Sequence, residues 1–529
     1  MATTGNNFYI SCTIKDDFLF LVSIEDGKKK HKILKYSPYM FVPYQGKSPY
    51  KNMHGDSVRK VEFNNIRHAR SFIYNKKGET TTAEEQLENI VYGNTNYHYV
   101  YLADNYMGEV QYDASMLTIL NVDIEVSSEN GFPSAEVASE KVIAITIKVS
   151  GPRVKEKDTV VYGLKEYTPT KDNVLYKKYD TEKDLLSGFI ADWEKVKPDI
   201  VTGWYIELFD IPYLLKRIER IFGKEEVNRF SPWGIVSDKM SITPGKKHGQ
   251  LTYDILGVSI LDYISLYKKF APHPGQESYS LNNIAHVELG ERKLSYAEYG
   301  NLNVLYEADH QKFIDYNIKD VELVSELEKK LGLISLVVAT AYNAKVNFYD
   351  VFSQVRMWDT IIYNALMEKN IVLPPRKDND KHGYPGAFVK EPLPGVYDWV
   401  ASLDLDSMYP NIMIQWNISP ETLVPEIVNP DFLPIIPNVK VDAHESKRSS
   451  EAEEYAISAL LDNTLDTSYL LKKGVGLSAA GHHFRNDKVG FLPEILIKMY
   501  NVRQEAKSKK MKYKAQLSMI EDELKGREG

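Results

Sequence analysis

The segment 117–126 most constrains the fold, because it is an apolar stretch that carries two acidic residues. Its aliphatic and β-branched residues are typical of a buried strand. Side chains alternate between the two faces of a strand, so Asp123 and Glu125 project from the same face. Val122 and Ile124 pack on the other face. A sheet that contains this strand must therefore carry two neighbouring carboxylates.

The acid pair has two interpretations. Two close carboxylates repel each other, and a cation between them relieves the repulsion. Alternatively, Asp123 and Glu125 are unrelated acids at a solvated sheet edge. The apolar flanks of the pair favour metal ligation.

Strand-like and helix-like segments alternate around this strand, which predicts an α/β layer with a mixed sheet. Buried-strand patterns recur at 142–149, 200–204 and 258–262, and helical patterns at 184–195 and 310–331. The first hundred or so residues instead combine short strands, such as 8–13 and 18–24, with basic turns. They predict a small mixed domain without a catalytic constellation.

Length, cysteine content and charge exclude several classes of protein. The 529 residues exceed what one hydrophobic core usually serves, so we expect three or more domains. The single cysteine, Cys12, excludes a disulfide framework and a cysteine-rich zinc site. No apolar run reaches the length of a membrane span and the first residues lack a secretory signal, so we expect a cytoplasmic protein. The net charge of −8 is compatible with nucleic-acid binding, because a basic groove on an acidic body is sufficient.

Two later segments add further acids and a tyrosine. Asp210 opens a helix after a strand end, where an aspartate alone is more typical of a helix N-cap than of a metal ligand. Tyr316 and Asp320 are four residues apart, hence one helical turn apart on one face, which alone is ordinary surface patterning. Together with the acid pair, these residues suit a two-metal phosphodiesterase, in which a tyrosine hydroxyl can orient the attacking water.

These residues resemble the three exonuclease motifs of family B DNA polymerases with 3′→5′ proofreading, in particular those of T-even-like bacteriophages. Further segments that resemble this family lie at 230–232, 257–263, 266–271, 384–389 and 417–422. The similarity covers nearly the whole chain.

The resemblance implies a role for each exonuclease residue. Asp123 would bridge two metal ions, with Glu125 and Asp320 completing one site. Asp210 would serve the other site, and Tyr316 would hold the water. An all-oxygen ligand set favours two Mg²⁺ ions per active site, with Mn²⁺ as the alternative.

One residue departs from the family pattern. Tyr205 stands where the family has an asparagine, and a phenol cannot copy the hydrogen-bond geometry of an amide. Because the four carboxylates are present, we expect exonuclease activity that is reduced or differently tuned.

The segment 402–411 resembles polymerase motif A, with Met408 and Asn411 in place of the usual Leu and Ser. It follows a predicted buried strand, 399–405. From the residues alone, Asp404 would be an ordinary strand-end acid and Asp406 no less plausible a metal ligand.

The resemblance assigns the nucleotide site to this motif. Asp404 would bind both catalytic Mg²⁺ ions, and Leu405 would offer its backbone carbonyl to one of them. Ser407 and Met408 would contact the incoming nucleotide. Tyr409 would lie under its sugar, where the ring leaves no room for a 2′-hydroxyl group.

A basic helix predicted at 491–514 resembles the first fingers helix. Arg503 and Lys507 are four residues apart and match the family's triphosphate contacts. The alternative is a solvated basic helix, which suits 509–514 better than this pair.

The implied fold is multidomain, α/β and α+β, with an RNase H-like exonuclease domain and a partial palm and fingers. The implied boundaries are an N-terminal domain at 1–110 to which the chain returns at 332–383, the 3′→5′ exonuclease at 111–331, a partial palm at 384–480, which includes a polar surface insertion at 429–463, and the first part of the fingers at 481–529.

The turn that supplies the second catalytic aspartate is not found within 1–529, and 465–468 resembles it only superficially. We therefore expect a second polypeptide that carries the remaining fingers, palm and thumb and binds the sliding clamp. A shortened chain is equally compatible.

Three functions remain, in order of preference. The first is a replicative DNA polymerase with proofreading, acting on primer–template DNA, single-stranded DNA and dNTPs in the cytoplasm of an infected bacterial cell. The second is a stand-alone 3′→5′ exonuclease. The third is a catalytically weakened nucleic-acid-binding regulatory protein, which Tyr205 alone favours.

Overall fold

The computed structural model describes residues 7–78, 90–128, 131, 133–152, 157–241, 249–272, 275–374, 391–424, 468–478 and 482–528. Among them the strands are β1 (Phe8–Lys15), β2 (Phe18–Glu25), β3 (Lys28–Lys35), β4 (Tyr39–Pro43), β5 (Lys51–Asn52), β6 (Val58–Glu62), β7 (Ile119–Val126), β8 (Val142–Ser150), β9 (Thr159–Gly163), β10 (Val174–Lys178), β11 (Ile200–Thr202), β12 (Val236–Ser241), β13 (Gln250–Ile255), β14 (Ser259–Ile260), β15 (Ile371–Val372), β16 (Val475–Leu477) and β17 (His483–Arg485). The helices are α1 (Ile66–Gly78), α2 (Tyr97–Asn105), α3 (Glu182–Val196), α4 (Asp210–Phe222), α5 (Lys224–Asn228), α6 (Tyr263–Phe270), α7 (Leu281–Leu289), α8 (Leu302–Ala308), α9 (His310–Leu331), α10 (Leu333–Ala344), α11 (Gln354–Met367), α12 (Met408–Gln415), α13 (Ser468–Lys473) and α14 (Phe491–Glu528). The predicted segments 384–389, 429–463 and 465–467 lie outside the described residues.

The chain divides into two compact units. The first is drawn from Met1–Met40, Lys60–Asn89 and Asn94–Ile361, and the second from Phe41–Arg59, Ile90–Gly93 and Ile362–Gly529. The predicted boundaries at residues 110, 331, 383 and 480 stay predictions.

A six-stranded mixed sheet organises the first unit, in the order β10-β9-β8-β7-β11-β14. β7 lies near the middle, antiparallel to β8 and parallel to β11, which in turn is parallel to β14. Because β7, β11 and β14 are parallel, their carboxyl ends share one edge of the sheet, where ligand sites of α/β sheets usually lie. The buried strand predicted at 117–126 is thus confirmed as β7.

Helices cover both faces of this sheet. On one face, Val122 and Ile124 of β7 share a core with apolar residues of α3 and α4. On the other face, Phe313 and Ile318 of α9 pack against β8 and β9. α9 begins after Asp309, whose carboxylate accepts the backbone N–H of Lys312, as an N-cap does. The predicted helix 310–331 is therefore confirmed at both ends.

The amino-terminal strands β1, β2 and β3 form a separate antiparallel sheet within the same unit. A buried ion pair links this sheet to the six-stranded sheet, with Lys29 Nζ 2.6 Å from Asp199 Oδ2. Asp199 also accepts the backbone N–H of Thr118 at 2.8 Å. The pair thus holds the beginning of β11 in place, at the edge opposite the acid residues of β7.

In the second unit, the predicted buried strand 399–405 is wrong. These residues form neither strand nor helix, and Trp399 and Leu403 are 100% and 96% exposed. A strand needs a hydrogen-bonded neighbour, and no strand in the described part of the chain pairs with this segment. Asp404 is therefore exposed rather than set at the end of a buried strand.

A network of polar contacts, which we call the Asn417 anchor, fixes the start of α14 in the second unit. The Asn417 side-chain amide donates to the backbone carbonyl groups of Arg485 and Lys488 at 2.6 and 2.8 Å. Its Oδ1 accepts the N–H of Gly490 at 2.8 Å, and Glu421 accepts the first N–H of α14 at 2.6 Å. The anchor thereby joins the segment after α12 to the base of α14.

Among the described helices, α14 included, none is both long and apolar enough to cross a lipid bilayer.

Candidate active site

The acid pair of β7 faces α9, as the strand alternation predicts. Asp123 Oδ2 accepts a hydrogen bond of 2.5 Å from Asn317 Nδ2, which belongs to α9. Asn121, two residues earlier on the same face, donates to the Val321 carbonyl at 2.8 Å. The pairing of β7 with β8 is irregular between Glu125 and the next residue, and such irregularities often re-aim a side chain beside an active site.

Asp320 of α9 completes a cluster of three carboxylates. Ligand oxygens of Asp123, Glu125 and Asp320 all lie within 4.8 Å of one another. Oδ1 of Asp320 is buried and has no hydrogen-bond partner among the described residues. A buried acceptor without a donor is costly, and a cation would satisfy it. The donor set therefore fits a hard divalent ion such as Mg²⁺ or Mn²⁺.

Asp210 reaches β7 from the other side. It is the first residue of α4, and Phe209 occupies the N-cap position. Asp210 Oδ1 accepts the backbone N–H of Ile124 at 3.0 Å, so its carboxylate is aimed at the strand rather than at its own helix. Asp210 is not one of the three clustered carboxylates, and its assignment to a separate metal position stays a prediction.

Burial makes all four carboxyl groups hard to ionise, and repulsion from neighbouring carboxylates adds to this effect at Asp123 and Glu125. Burial raises the pKa of Glu125 to about 8 and that of Asp210 to about 7. It also raises the pKa of Asp123, which the charges of Asp210 and Asp320 raise further. Burial likewise raises the pKa of Asp320. Such a cluster gains strongly from a divalent cation, which stabilises the ionised forms.

Lys293 is a site residue that the sequence analysis missed. Its Nζ lies 2.5 Å from Asp320 Oδ2 and 3.2 Å from the Tyr316 hydroxyl oxygen. Burial would lower the pKa of Lys293, but Asp320 and its neighbours outweigh that effect and raise the pKa above its usual range. Lys293 lies in the loop that follows α7, where no periodic pattern marks a position.

Tyr316 and Asn317 complete the α9 side of the site. Tyr316 is 7% exposed, and burial followed by the charge of Asp320 raises the pKa of its hydroxyl group. Asn317 is fully buried and accepts a hydrogen bond from the Thr146 hydroxyl group, which orients the amide that it donates to Asp123. The sequence analysis gave Asn317 no role, because a buried asparagine has no pattern of its own.

The turn between β11 and α4 passes close to β7. A Cβ atom at Gly203 would lie 2.4 Å from the Val122 carbonyl oxygen, so this close approach requires glycine. Tyr205 adopts a left-handed φ of 70°, and its ring is 40% exposed. Its backbone N–H donates to Asp262 Oδ1 at 3.0 Å. Tyr205 therefore lies in the same turn that leads to Asp210.

In the second unit, the predicted nucleotide-binding residues are exposed except Ser407, which is partly buried. Leu405 and Tyr409 are 72% and 70% exposed, and Ser407 takes a left-handed φ of 54° just before α12. Arg503 Nη1 donates to the Ser407 hydroxyl oxygen at 2.5 Å, so α14 brings one predicted phosphate contact to motif A. Asp404 belongs to no cluster of three metal-ligating side chains within the described residues.

Both halves of the chain match models of one family. Residues 69–284 match the exonuclease domain of DNA polymerase family B, and residues 349–523 match DNA polymerase family B itself. The chain belongs to DNA polymerase family B. The resemblance inferred from the sequence is thus confirmed.

The relatives of this family B chain include two phage proteins. It is 36% identical over 439 residues to the DNA-directed DNA polymerase of Enterobacteria phage T4, an alignment that covers 79% of this chain and 47% of the relative. It is 34% identical over 440 residues to that of Escherichia phage RB69, with the same coverage. The DNA polymerase delta catalytic subunit of Caenorhabditis elegans is 28% identical over 356 residues, which cover 62% of this chain and 31% of the relative. The chain spans about half the length of the phage relatives.

The family matches divide the site residues of this family B chain into two groups. The exonuclease match contains Asp123, Glu125 and Asp210 but ends before Lys293 and Asp320. Those two residues enter the site through the fold, since α9 carries Asp320 to β7 and the ion pair holds Lys293 beside it. The second match contains all the predicted nucleotide-binding residues of motif A and α14.

Proposed function

We propose that this chain is the amino-terminal portion of a phage replicative DNA polymerase with 3′→5′ proofreading, acting in the cytoplasm of an infected bacterial cell. The carboxylate cluster carries the proposal, because Asp123, Glu125 and Asp320 converge within 4.8 Å in a chain of this family. Its substrates would be primer–template DNA, the single-stranded 3′ end and dNTPs.

The exonuclease domain at 111–331 would have an RNase H-like fold. The strand order β9-β8-β7-β11-β14, with β8 antiparallel to its neighbours, supports that assignment. Asp123, Glu125 and Asp320 would hold one divalent ion, and Asp123 and Asp210 a second. Bound Mg²⁺ or Mn²⁺ would supply Lewis-acid stabilisation of the scissile phosphate and a water of lowered pKa.

The remaining residues of the exonuclease site would orient the attacking water and the metal ligands and would balance charge. The Tyr316 hydroxyl group can hold the attacking water, and Lys293 Nζ fixes that hydroxyl group from 3.2 Å away. The Lys293 charge would also offset the excess negative charge that a phosphate brings to the site. Asn317 holds Asp123 in one orientation, which keeps its second oxygen available for ligation.

Polymerisation would use the second unit, with a partial palm at 384–480 and the first part of the fingers from 481. Asp404 and the Leu405 carbonyl would hold catalytic metal ions, and Ser407 and Met408 would line the nucleotide site. The ring of Tyr409 would exclude the 2′-hydroxyl group of a ribonucleotide. Arg503 and Lys507 would grip the triphosphate, as one-turn spacing on α14 permits.

A second polypeptide would complete this site and would bind the sliding clamp. Four of the exposed apolar residues of α14 support the proposal: Val502, Tyr513, Leu517 and Ile520 are each more than half exposed. Their spacing places them on one face of the helix, which suits burial against another helix.

The test uses purified chain with a 5′-labelled primer–template, Mg²⁺ and four dNTPs, with and without a polypeptide that corresponds to the rest of the phage relatives. The Asp123→Ala plus Asp210→Ala variant is the exonuclease control. We expect shortening of the primer by this chain alone, lost in the control, and extension when the polypeptide is added. Extension that never appears would overturn the polymerase proposal.

A stand-alone 3′→5′ exonuclease is the second candidate. It is favoured by the contrast between a converged carboxylate cluster and an exposed Asp404. Shortening that no added polypeptide changes would select it.

A further inference from the structure

We propose that Asp262 is a positioning residue of the exonuclease site, holding the turn that presents Asp210. This inference rests on the proposed exonuclease function. Asp262 follows β14 directly and is 2% exposed. The sequence analysis quoted it within the segment 257–263 but gave it no role.

The backbone fixes Asp262 at the carboxyl edge of the sheet. The N–H of Leu261 donates to the Val201 carbonyl at 2.8 Å, and the N–H of Tyr263 donates to the Gly203 carbonyl at 2.9 Å. Asp262 therefore lies between two hydrogen bonds that join it to the end of β11. These two bonds fix the backbone on both sides of Asp262.

Three backbone N–H groups donate hydrogen bonds to the Asp262 carboxylate. Oδ1 accepts from Tyr205 at 3.0 Å and from Ile264 at 3.2 Å, and Oδ2 accepts from Glu207 at 3.1 Å. The bond from Ile264 is the ordinary N-cap of α6. The other two come from the turn before α4. Since both oxygens are engaged in this way, Asp262 acts on the site through the turn and not as a ligand.

Backbone hydrogen bonds within the turn connect Asp262 to Asp210. The Tyr205 carbonyl accepts the N–H of Phe209 at 3.2 Å, and the Ile206 carbonyl accepts the N–H of Ile211 at 3.0 Å. These bonds connect the residues held by Asp262 to the first turn of α4, where Asp210 is the first residue. The left-handed φ of 70° at Tyr205 is strained in a non-glycine residue, and the hydrogen bond from its N–H to Asp262 offsets that strain.

The test compares Asp262→Asn with the matched variant Asp199→Asn. Asp199 is also 2% exposed and accepts a backbone N–H, but at the opposite end of β11. Three quantities are measured on the full chain: amide hydrogen exchange of the peptide 203–210, Mn²⁺ binding by electron paramagnetic resonance, and hydrolysis of a 5′-labelled single-stranded oligonucleotide.

For Asp262→Asn we expect faster exchange in 203–210, Mn²⁺ binding weakened by about tenfold, and a lower kcat with an unchanged KM for DNA. Asp199→Asn should leave all three unchanged at a temperature where it remains folded. Adding Tyr205→Gly to Asp262→Asn should restore part of the Mn²⁺ affinity, because glycine adopts the left-handed turn without strain. Such a rescue would remain measurable if Asp262→Asn alone is poorly folded.

Two outcomes would overturn the proposal: unchanged exchange and Mn²⁺ binding in Asp262→Asn, or equal losses in Asp199→Asn. Hydrolysis absent from the unsubstituted chain would instead refute the proposed exonuclease function. Exchange and Mn²⁺ binding would still decide the role of Asp262 in that case.

Discussion

Lys293 brings a positive charge to a site that otherwise contains buried carboxylates. Its ion pair with Asp320 and its contact with Tyr316 hold the α9 side of the site together before any metal ion binds. Replacing Lys293 by an uncharged residue leaves Asp320, which is 4% exposed, without its charged partner. We therefore expect substitution of Lys293 to change the stability of the chain as well as its proposed activity.

Lys293→Met should lower the free energy of unfolding of the metal-free chain by about 2 kcal/mol, because it leaves a buried carboxyl group unpaired. The measurement is urea unfolding in the presence of EDTA. Lys319→Met is the matched control, since Lys319 lies next to Asp320 on α9 and pairs with the half-exposed Glu291. Its cost should stay below about 1 kcal/mol, and equal costs for both variants would contradict the prediction.

Glu125 should make metal-free stability fall as the pH rises. Its pKa is about 8 in the folded chain against a usual 4.5, so the folded state binds the proton more tightly than the unfolded state. The stabilisation is complete below about pH 4 and is lost as the pH rises through about 8. Glu125→Gln, which mimics the protonated group, should therefore gain stability relative to the unsubstituted chain between pH 6 and pH 8, by about 1.4 kcal/mol per pH unit at most.

Thermal unfolding in EDTA at several pH values checks this prediction. Added Mg²⁺ should reverse the trend in the unsubstituted chain, because metal ions and protons compete for the same carboxylates. A difference between the two proteins that does not depend on pH would contradict the assigned pKa.

From single residues, the sequence predicted the carboxylates of the cluster but not the residues that support them. Strand alternation is enough to place Asp123 and Glu125 together, and helical spacing is enough to pair Tyr316 with Asp320. Lys293 reaches the site from a loop, where contact depends on how the chain folds rather than on spacing. Asp262 was hidden for the same reason, because its partners lie more than fifty residues earlier in the chain.

The elements differ in how far their local pattern determines them. β7 and α9 pack one face or both against a core, so their hydrophobic periodicity predicted them well. The segment 399–405 has an equally apolar pattern but no strand to pair with among the described residues, and it is exposed. An apolar pattern shows that a segment can be buried, whereas strand formation also needs a neighbour.

The Asn417 anchor determines where α14 begins. Asn417→Ala removes two donated hydrogen bonds and leaves the Gly490 N–H without its acceptor. We expect a loss of about 2–3 kcal/mol in the stability of the second unit and faster amide exchange in 485–492. Hydrolysis by the exonuclease site should remain unchanged, because that site lies in the other unit.

Asn411→Ala is a suitable control for this prediction. Asn411 lies on α12 at the end of motif A, and its side chain makes a single exposed hydrogen bond, to the Asp406 carbonyl. Comparable exchange in 485–492 for both variants would show that the anchor does not hold α14.

For the whole molecule, the division into two units predicts separable activities. Asp404→Ala should abolish extension in the completed polymerase, by a factor of a hundred or more, and leave hydrolysis intact. Asp123→Ala plus Asp210→Ala should do the reverse. Both activities are read from one labelled primer on a single gel, with the unsubstituted protein as the reference. Loss of both activities in either variant would contradict the separation.

The anchored base of α14 also determines how motion would be shared along that helix. Its 38 residues extend about 57 Å, and Arg503 lies about 18 Å from the anchor. A pivot of about 10° at the base would sweep the far end through about 10 Å but Arg503 through only about 3 Å. The helix is therefore a lever: the part between the anchor and Arg503, the proposed phosphate contact, is short, and the part beyond Arg503 is long. Opening a wide path for a nucleotide would then cost Arg503 only a small displacement from Ser407.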